Sequence, residues 1–209
     1  MTVRRVFLCV LLLLSASASR LEGRPFPPLY PGPLFERAIE SASATPAEGR
    51  VTGLITPHHL LAAYLIAAGF AMIKERDLDR IIILTPDHYH RGRTIFSVPG
   101  RDFLTALGPV PLDREGVERL KKLILVGESN LFSHEHGVQA LLPFVARLFP
   151  GVPVLPVAIG TRSGPEDWRE LGAALAPLAG EGALVVQSTD FSHYLDRDRT
   201  AACDAESAA

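Results

Sequence analysis

The chain has 209 residues, 47% of them hydrophobic, and a formal net charge of −2. This length and composition suffice for one globular domain with its own core. The balanced charge argues against a nucleic acid partner or an acidic membrane surface. Cys9 and Cys203 are the two cysteines. Because Cys9 falls within a predicted leader, we expect no disulfide in the mature protein.

Residues 1–18 have the pattern of a signal peptide. Arg4 and Arg5 precede the apolar run Val6–Leu14, and Ala16 and Ala18 form an Ala-x-Ala cleavage site. The apolar run is far shorter than the ~20 residues of a membrane-spanning helix. We therefore predict cleavage after Ala18, export to the periplasm or the extracellular space, and no membrane span after cleavage. General secretion and the twin-arginine route both fit, and an uncleaved anchor is the alternative.

Residues 19–50 form a segment rich in proline, serine, alanine and glycine. The prolines between Pro25 and Pro33 exclude regular structure over its first half. A short helix is predicted over Leu34–Ser41.

From Val51 the chain alternates between strand and helix patterns. The predicted strands are Val51–Thr56, Arg80–Thr85, Thr94–Val98, Ile124–Val126, Val152–Ile159 and Ala183–Thr189. The predicted helices are Pro57–Met72 with Thr56 as its cap, Arg114–Leu123, Val138–Phe149 and Glu166–Leu178. Pro143 either kinks the third helix or begins a second one. This order predicts a single α/β domain over residues 51–209, with a central, mostly parallel or mixed sheet and helices on both faces.

Of the seven histidines, all but His134 and His136 follow predicted strands, and those two flank Glu135 before a helix. In open α/β sheets, ligands bind beyond the carboxyl ends of the strands. We therefore expect the polar groups there to gather at one edge of the sheet. These groups are His58, His59, Asp87, His88, His90, Asp190 and His193.

Imidazole and carboxylate groups are ligands of zinc, iron and copper. A histidine that is not a ligand can transfer protons near neutral pH. The alternative is that these are polar loop residues, and we interpret His59, His90 and His134 in this way. Asp87 fits either a partner of a metal ligand or a turn-forming residue.

Four motifs, in order along the chain, resemble those of the Memo family, the AmmeMemoRadiSam system protein B group. Pro57-His58 resembles Pro-His-Ala-Gly, and Thr85–His88 resembles Gly-Pro-Ser/Asn-His. Glu135–Phe144 resembles Glu-His-Ser-x-Glu-x-x-Leu-Pro-Phe, and Gln187–Tyr194 resembles the highly specific Ser-Ser-Asp-Phe-Ser-His-Tyr. With Tyr30-Pro31, the resemblance covers roughly residues 30–209.

The Memo fold is similar to that of class III extradiol dioxygenases, which use non-haem Fe(II). The resemblance implies metal ligation by His58 and His88, acid–base catalysis by His193 beside Asp190, and pocket lining by Glu135 and His136. It implies a divalent metal, Fe(II) first and zinc or copper as alternatives, and a small-molecule substrate or a peptide. Ring cleavage does not follow from a shared fold. The competing interpretations are a metal-dependent oxidoreductase, a non-catalytic metal- or peptide-binding module, and an inactive family member.

The sequence departs from the family pattern in three places. His59-Leu60 replaces Ala-Gly after the first histidine, and Asp87 precedes the second. The family continues well beyond the point that matches Ala209 and holds a third ligand there, a cysteine or a glutamate. We therefore interpret residues 51–209 as a C-terminally truncated Memo-like domain. Asp190 or His193 could then complete a ligand triad, because two histidines and one carboxylate form a known iron site.

Overall fold

The computed structural model describes residues 23–74 and 77–207, so the predicted signal peptide lies outside the described residues. The strands are β1 (Gly53–Thr56), β2 (Arg80–Pro86), β3 (Phe96–Val98), β4 (Phe103–Thr105), β5 (Gly108–Val110), β6 (Val126–Glu128), β7 (Val154–Ile159) and β8 (Ala183–Ser188). The α-helices are α1 (Gly32–Ser41), α2 (Ala63–Ala71), α3 (Arg114–Leu120), α4 (His136–Gln139), α5 (Leu142–Leu148), α6 (Pro165–Leu175) and α7 (Arg197–Ser207). Short 3₁₀ turns occupy Leu60–Ala62 and Asn130–Ser133.

Six strands form one mixed sheet in the order β1-β8-β2-β7-β3-β6. The first four are parallel to one another, whereas β3 is antiparallel to β7 and parallel to β6. β4 and β5 form a separate hairpin. The predicted α/β fold with a mostly parallel, mixed sheet is therefore confirmed. Because β1, β8 and β2 are parallel, their carboxyl ends meet at one edge of the sheet.

The β-branched run of β2 faces apolar packing on both sides of the sheet. Ile81 and Ile83 are fully buried on the side of α1, α2 and α5, and Ile82 is fully buried on the side of α3 and α6. This alternation follows from the two-residue period of a strand. The helices therefore cover both faces, as predicted.

The Pro-rich segment is part of the same core. Phe26 is fully buried, and its ring centroid lies 5.1 Å from that of Phe103. The helix predicted over Leu34–Ser41 is confirmed and begins at Gly32, and its Phe35 packs edge-on against Phe144 at 5.3 Å. The aromatic side chains thus anchor a segment whose prolines restrict regular structure.

The prediction that a helix begins at Pro57 under a Thr56 cap is wrong. The backbone is still extended at His59 (φ −76°, ψ 118°), and its Nδ1 accepts the amide of Leu61 at 3.4 Å to cap the 3₁₀ turn. The cause is a tertiary contact. The side chain of Asp190 accepts the backbone amides of His58 and His59 and keeps this segment extended.

Further along the chain, Pro143 lies in the first turn of α5, separate from α4, which confirms one of the two alternatives for that segment. The hairpin β4–β5 and the helix α7 escaped prediction. The strands of the hairpin have three residues each, and α7 has no buried residue to produce an apolar stripe. Among the described residues, none of the helices combines the length and the apolar character that crossing a bilayer requires.

Candidate metal centre

Three imidazoles converge at the edge where β1, β2 and β8 end. His58 follows β1, His88 follows β2, and His136 begins α4. One potential ligand atom from each lies within 4.8 Å of the other two. The ring centroids are 4.7 Å apart for His58 and His88, 5.0 Å for His58 and His136, and 4.0 Å for His88 and His136. The pair predicted as ligands is therefore brought together, and His136, predicted to line the pocket, is the third member.

A buried hydrogen-bond relay fixes which nitrogen of His58 faces the pocket. The ring is only 3% exposed, and its Nδ1 lies 3.1 Å from the hydroxyl of Ser188. That hydroxyl donates its single proton to the carbonyl of Gly137. It must therefore accept from Nδ1, so Nε2 of His58 carries a lone pair.

A carboxylate orients the ring of His88 in the same way, with Nδ1 bonded to the protein. Glu135 is fully buried, and its Oε1 lies 2.6 Å from Nδ1 of His88. The other oxygen, Oε2, accepts the backbone amide of His88 at 3.1 Å. Nδ1 therefore donates and Nε2 is left as the electron-pair donor. A carboxylate behind an imidazole is the usual outer partner of a metal-bound histidine, because it fixes the tautomer and raises the basicity of the ligand.

Gly137 joins the two relays. Its amide donates to Oε1 of Glu135 at 2.9 Å, and its carbonyl accepts from Ser188. A Cβ at this position would clash with the hydroxyl of Thr85, so a side chain does not fit unless Thr85 moves. The third imidazole, His136, has its Nδ1 3.2 Å from the Tyr89 hydroxyl.

The imidazoles of His58 and His136 are held in the neutral form that binds metal ions. Burial lowers the pKa of His58 to about 4, opposed by Asp190 and reinforced by His88 and His136. Burial also lowers the pKa of His136, and the neighbouring His88 lowers it further. Both rings are therefore unprotonated at neutral pH.

Asp190 lies between the histidine cluster and His193. Its Oδ1 accepts the amide of His58 at 3.0 Å, and its Oδ2 lies 3.4 Å from Nε2 of His58. Oδ2 also lies 3.9 Å from Nε2 of His193, whose side chain is 55% exposed. The structure thus places the two predicted catalytic residues side by side. Neither Asp190 nor His193, the two residues that could have completed a ligand triad, belongs to the cluster, and His136 occupies the third place.

The remaining candidates make contacts outside the histidine cluster. Asp87 accepts the amides of Arg91 and Gly92, so it is a turn-forming residue. The ring of His134 lies 2.7 Å from the hydroxyl of Ser133, and that of His90 lies 3.5 Å from the hydroxyl of Thr161. Cys203 is exposed on α7.

The sequence did not point to Ser188 or to the backbone amide and carbonyl of Gly137. Both lie within the recognised motifs, but their roles depend on contacts between segments that are distant in sequence.

Comparison with known proteins settles the relationship. The family description "Memo-like protein" matches residues 34–207, most of the chain. The chain belongs to the Memo family. The family assignment made from the four motifs is therefore confirmed.

Relatives of the chain carry the same family name. A MEMO1 family protein of Thermotoga maritima is 30% identical over 187 residues, which are 86% of this chain and 64% of that protein. One from Thermococcus onnurineus is 28% identical over 79% of this chain and 62% of its own length. One from Pyrobaculum aerophilum is 31% identical over 73% of this chain and 57% of its own length. The chain thus spans about three fifths of these Memo relatives.

Proposed function

We propose that this Memo-family chain binds a divalent metal ion through His58, His88 and His136 and uses it for oxidoreductase chemistry on a small molecule. The observation that carries the proposal is the pair of buried relays, from Ser188 to His58 and from Glu135 to His88. In both relays Nδ1 is the nitrogen bonded to the protein, so Nε2 keeps the lone pair, which is the preparation that metal ligation requires.

The donor set fits a first-row transition metal. Three neutral imidazoles suit iron, copper and zinc, whereas magnesium and calcium prefer oxygen ligands. Fe(II) is the ion we propose, because imidazole suits iron and the Memo fold is similar to that of dioxygenases that use non-haem Fe(II).

Residues of the protein orient the ligands and transfer protons. The bound ion supplies Lewis-acid and redox chemistry. Ser188 and Glu135 keep the rings of His58 and His88 in one orientation. His193 is half-exposed beside Asp190, so it moves a proton between the pocket and the solvent.

We also propose that the protein is exported, on the basis of the leader pattern in residues 1–18. Amino-terminal sequencing of the mature protein from the extracytoplasmic fraction tests this. A mature chain that begins at Ser19 supports cleavage after Ala18, and an intact Met1 in the cytoplasmic fraction contradicts export.

Metal analysis of protein purified without a histidine tag tests the site. We expect one ion per chain in the wild type and none in the variant His58→Ala/His88→Ala. Full metal content in that variant would contradict the site.

Oxygen uptake by the iron-loaded protein with a panel of catechols and other oxidisable small molecules tests the activity. Metal binding without turnover across the panel would favour a non-catalytic binding module.

A further inference from the structure

We propose that a cavity beside the histidine cluster binds the anionic group, a carboxylate or a phosphate, of the small molecule that reacts at the metal ion. The cavity has a volume of about 500 Å³ and is lined by Arg91 and Arg93 from the loop after β2 and by Ser129 and Asn130 from the segment after β6. This inference rests on the proposed function, to which it adds a substrate class and the residues that recognise it.

The first observation is that the two arginines of the cavity have no anionic partner. Within residues 23–74 and 77–207, the guanidinium groups of Arg91 and Arg93 form neither an ion pair nor a hydrogen bond. The loop that carries them is fixed, because Asp87 accepts the amides of Arg91 and Gly92 at 3.1 and 2.7 Å. A guanidinium group presents a fork of N–H donors that fits the oxygens of a carboxylate or a phosphate.

The opposite wall adds two further donors. Oδ1 of Asn130 accepts from the guanidinium of Arg101 at 2.8 Å, which leaves the amino group of Asn130 to donate. The hydroxyl of Ser129 accepts the amide of Leu131 at 3.2 Å and keeps its own proton to donate. Donors therefore line both walls of the cavity, and an oxyanion is the ligand that can accept from all of them.

Glu128 is the acidic residue of the lining. Its Oε2 lies 3.6 Å from Nζ of Lys121, so a lysine offsets part of its charge. Two arginines against one partly offset carboxylate leave the cavity positively charged, and this charge attracts anions.

The second observation is that the cavity lies close to the proposed metal centre. The guanidinium carbon of Arg91 is 5.6 Å from the ring centroid of Tyr89. The ring of Tyr89 is in turn 5.6 Å from that of His136, and its hydroxyl is 3.2 Å from Nδ1 of that histidine. A molecule with its anionic group at Arg91 can therefore reach the ion across the width of one aromatic side chain.

The first experiment measures anion binding to the metal-free, full-length protein, in which no ion competes for the anion. Malonate and inorganic phosphate are added in separate titrations, and NMR records the backbone and side-chain N–H signals of Arg91 and Arg93. We expect both anions to shift these signals, and the tighter of the two tells a carboxylate site from a phosphate site.

The variants assign that binding to the cavity. We expect Arg91→Gln/Arg93→Gln to weaken the binding of the preferred anion at least ~tenfold, because charge-assisted hydrogen bonds are lost. The matched control Arg119→Gln/Arg169→Gln removes the same charge from exposed positions on α3 and α6 and should bind as the wild type does. Glu128→Gln should act in the opposite direction and strengthen binding. Circular dichroism checks that the variants fold.

The second experiment tests the connection to the ion. Suberic acid monohydroxamate carries a zinc-binding hydroxamate and a carboxylate at the two ends of a flexible chain, and its methyl ester lacks the negative charge. We expect zinc-loaded wild type to bind the acid roughly tenfold more tightly than the ester, since only the acid gains a charge-assisted hydrogen bond. In Arg91→Gln/Arg93→Gln the two compounds should bind equally.

Wild-type affinity for malonate and phosphate in Arg91→Gln/Arg93→Gln would overturn the assignment of the cavity and leave the three-histidine site standing. Equal binding of the acid and the ester to zinc-loaded wild type would overturn the connection between the cavity and the ion. A protein that takes up no zinc but binds malonate through the arginines would overturn the proposed function and leave the cavity as an anion site.

Discussion

The two sides of the proposed metal pocket are built differently. On one side, His58 and His88 are held by the buried groups Ser188 and Glu135. On the other side, His193 is half-exposed, contacts the cluster through Asp190, and precedes Tyr194, which is fully exposed and has a positive φ of 59°. The difference fits the two proposed tasks, because metal ligands must be fixed, whereas a proton-transferring group must reach solvent.

The largest loss of zinc affinity should come from removing a ligand on the buried side, where His58 and His88 lie. We expect His58→Ala to weaken zinc binding by roughly 100-fold or more, because it removes a ligand whose neutral form is prepared in advance. His193→Ala should bind zinc as the wild type does and lose any turnover. Chelator competition measures the affinity. Equal losses of zinc affinity in the two variants would remove the distinction between the two sides.

Removing the charge of Glu135, whose carboxylate is bonded to His88, should have the next largest effect on zinc affinity. Glu135→Gln is expected to weaken zinc binding ten- to a hundredfold, roughly the range found for outer partners of metal ligands. The exposed Glu128 offers a matched control, Glu128→Gln, which should leave the affinity unchanged. Calorimetric titration of both variants measures this, and a wild-type affinity in Glu135→Gln would show that the orientation of His88 does not depend on the buried charge.

The contact between Thr85 and Gly137 predicts a stability coupling. The family motifs place glycine where this chain has Thr85 and serine where it has Gly137, so small and large residues are exchanged across one contact. We expect Gly137→Ser to lower the free energy of unfolding by about 1–3 kcal/mol through overpacking.

The matched test of that contact is a double-mutant cycle with Thr85→Gly, followed by urea unfolding. The double variant should recover part of the loss caused by Gly137→Ser. Additive effects of the two substitutions would show that the exchange is coincidental.

The stability of the metal-free protein should also depend on pH. The pKa of His58 is lowered from 6.5 to about 4 in the folded state, so between these values the unfolded chain binds a proton that the native protein excludes. The free energy of unfolding is then at its full value above about pH 6.5 and falls as the pH drops towards 4. Thermal unfolding across this range measures the slope. His58→Gln should flatten it, and an unchanged slope would assign the effect to other groups.

Much of the fold could be predicted from sequence because its strands are buried runs of β-branched residues. Arg80–Thr85 is the clearest, since burial on both faces leaves no amphipathic pattern that could be confused with a helix. The segment after β1 could not be predicted in the same way. Its apolar residues at helical spacing favour a helix from Pro57, and Asp190, distant in sequence, holds the backbone extended instead.

The candidate site, like the fold, could be predicted only in part. His58 and His88 could be placed because they follow parallel strands, whose ends must meet. His136 could be placed only near the pocket, since its distance from the other rings depends on how α4 packs against β2, which spacing along the chain does not encode.

The backbone of Gly137 has a consequence for how the site responds to disturbance. Its amide supports Glu135 and its carbonyl supports Ser188, so the two peptide planes that meet at one Cα carry the anchors of both rings. A shift of that Cα would disturb both imidazoles at once. We therefore expect His58 and His88 to lose their preparation for the ion together when Gly137 moves.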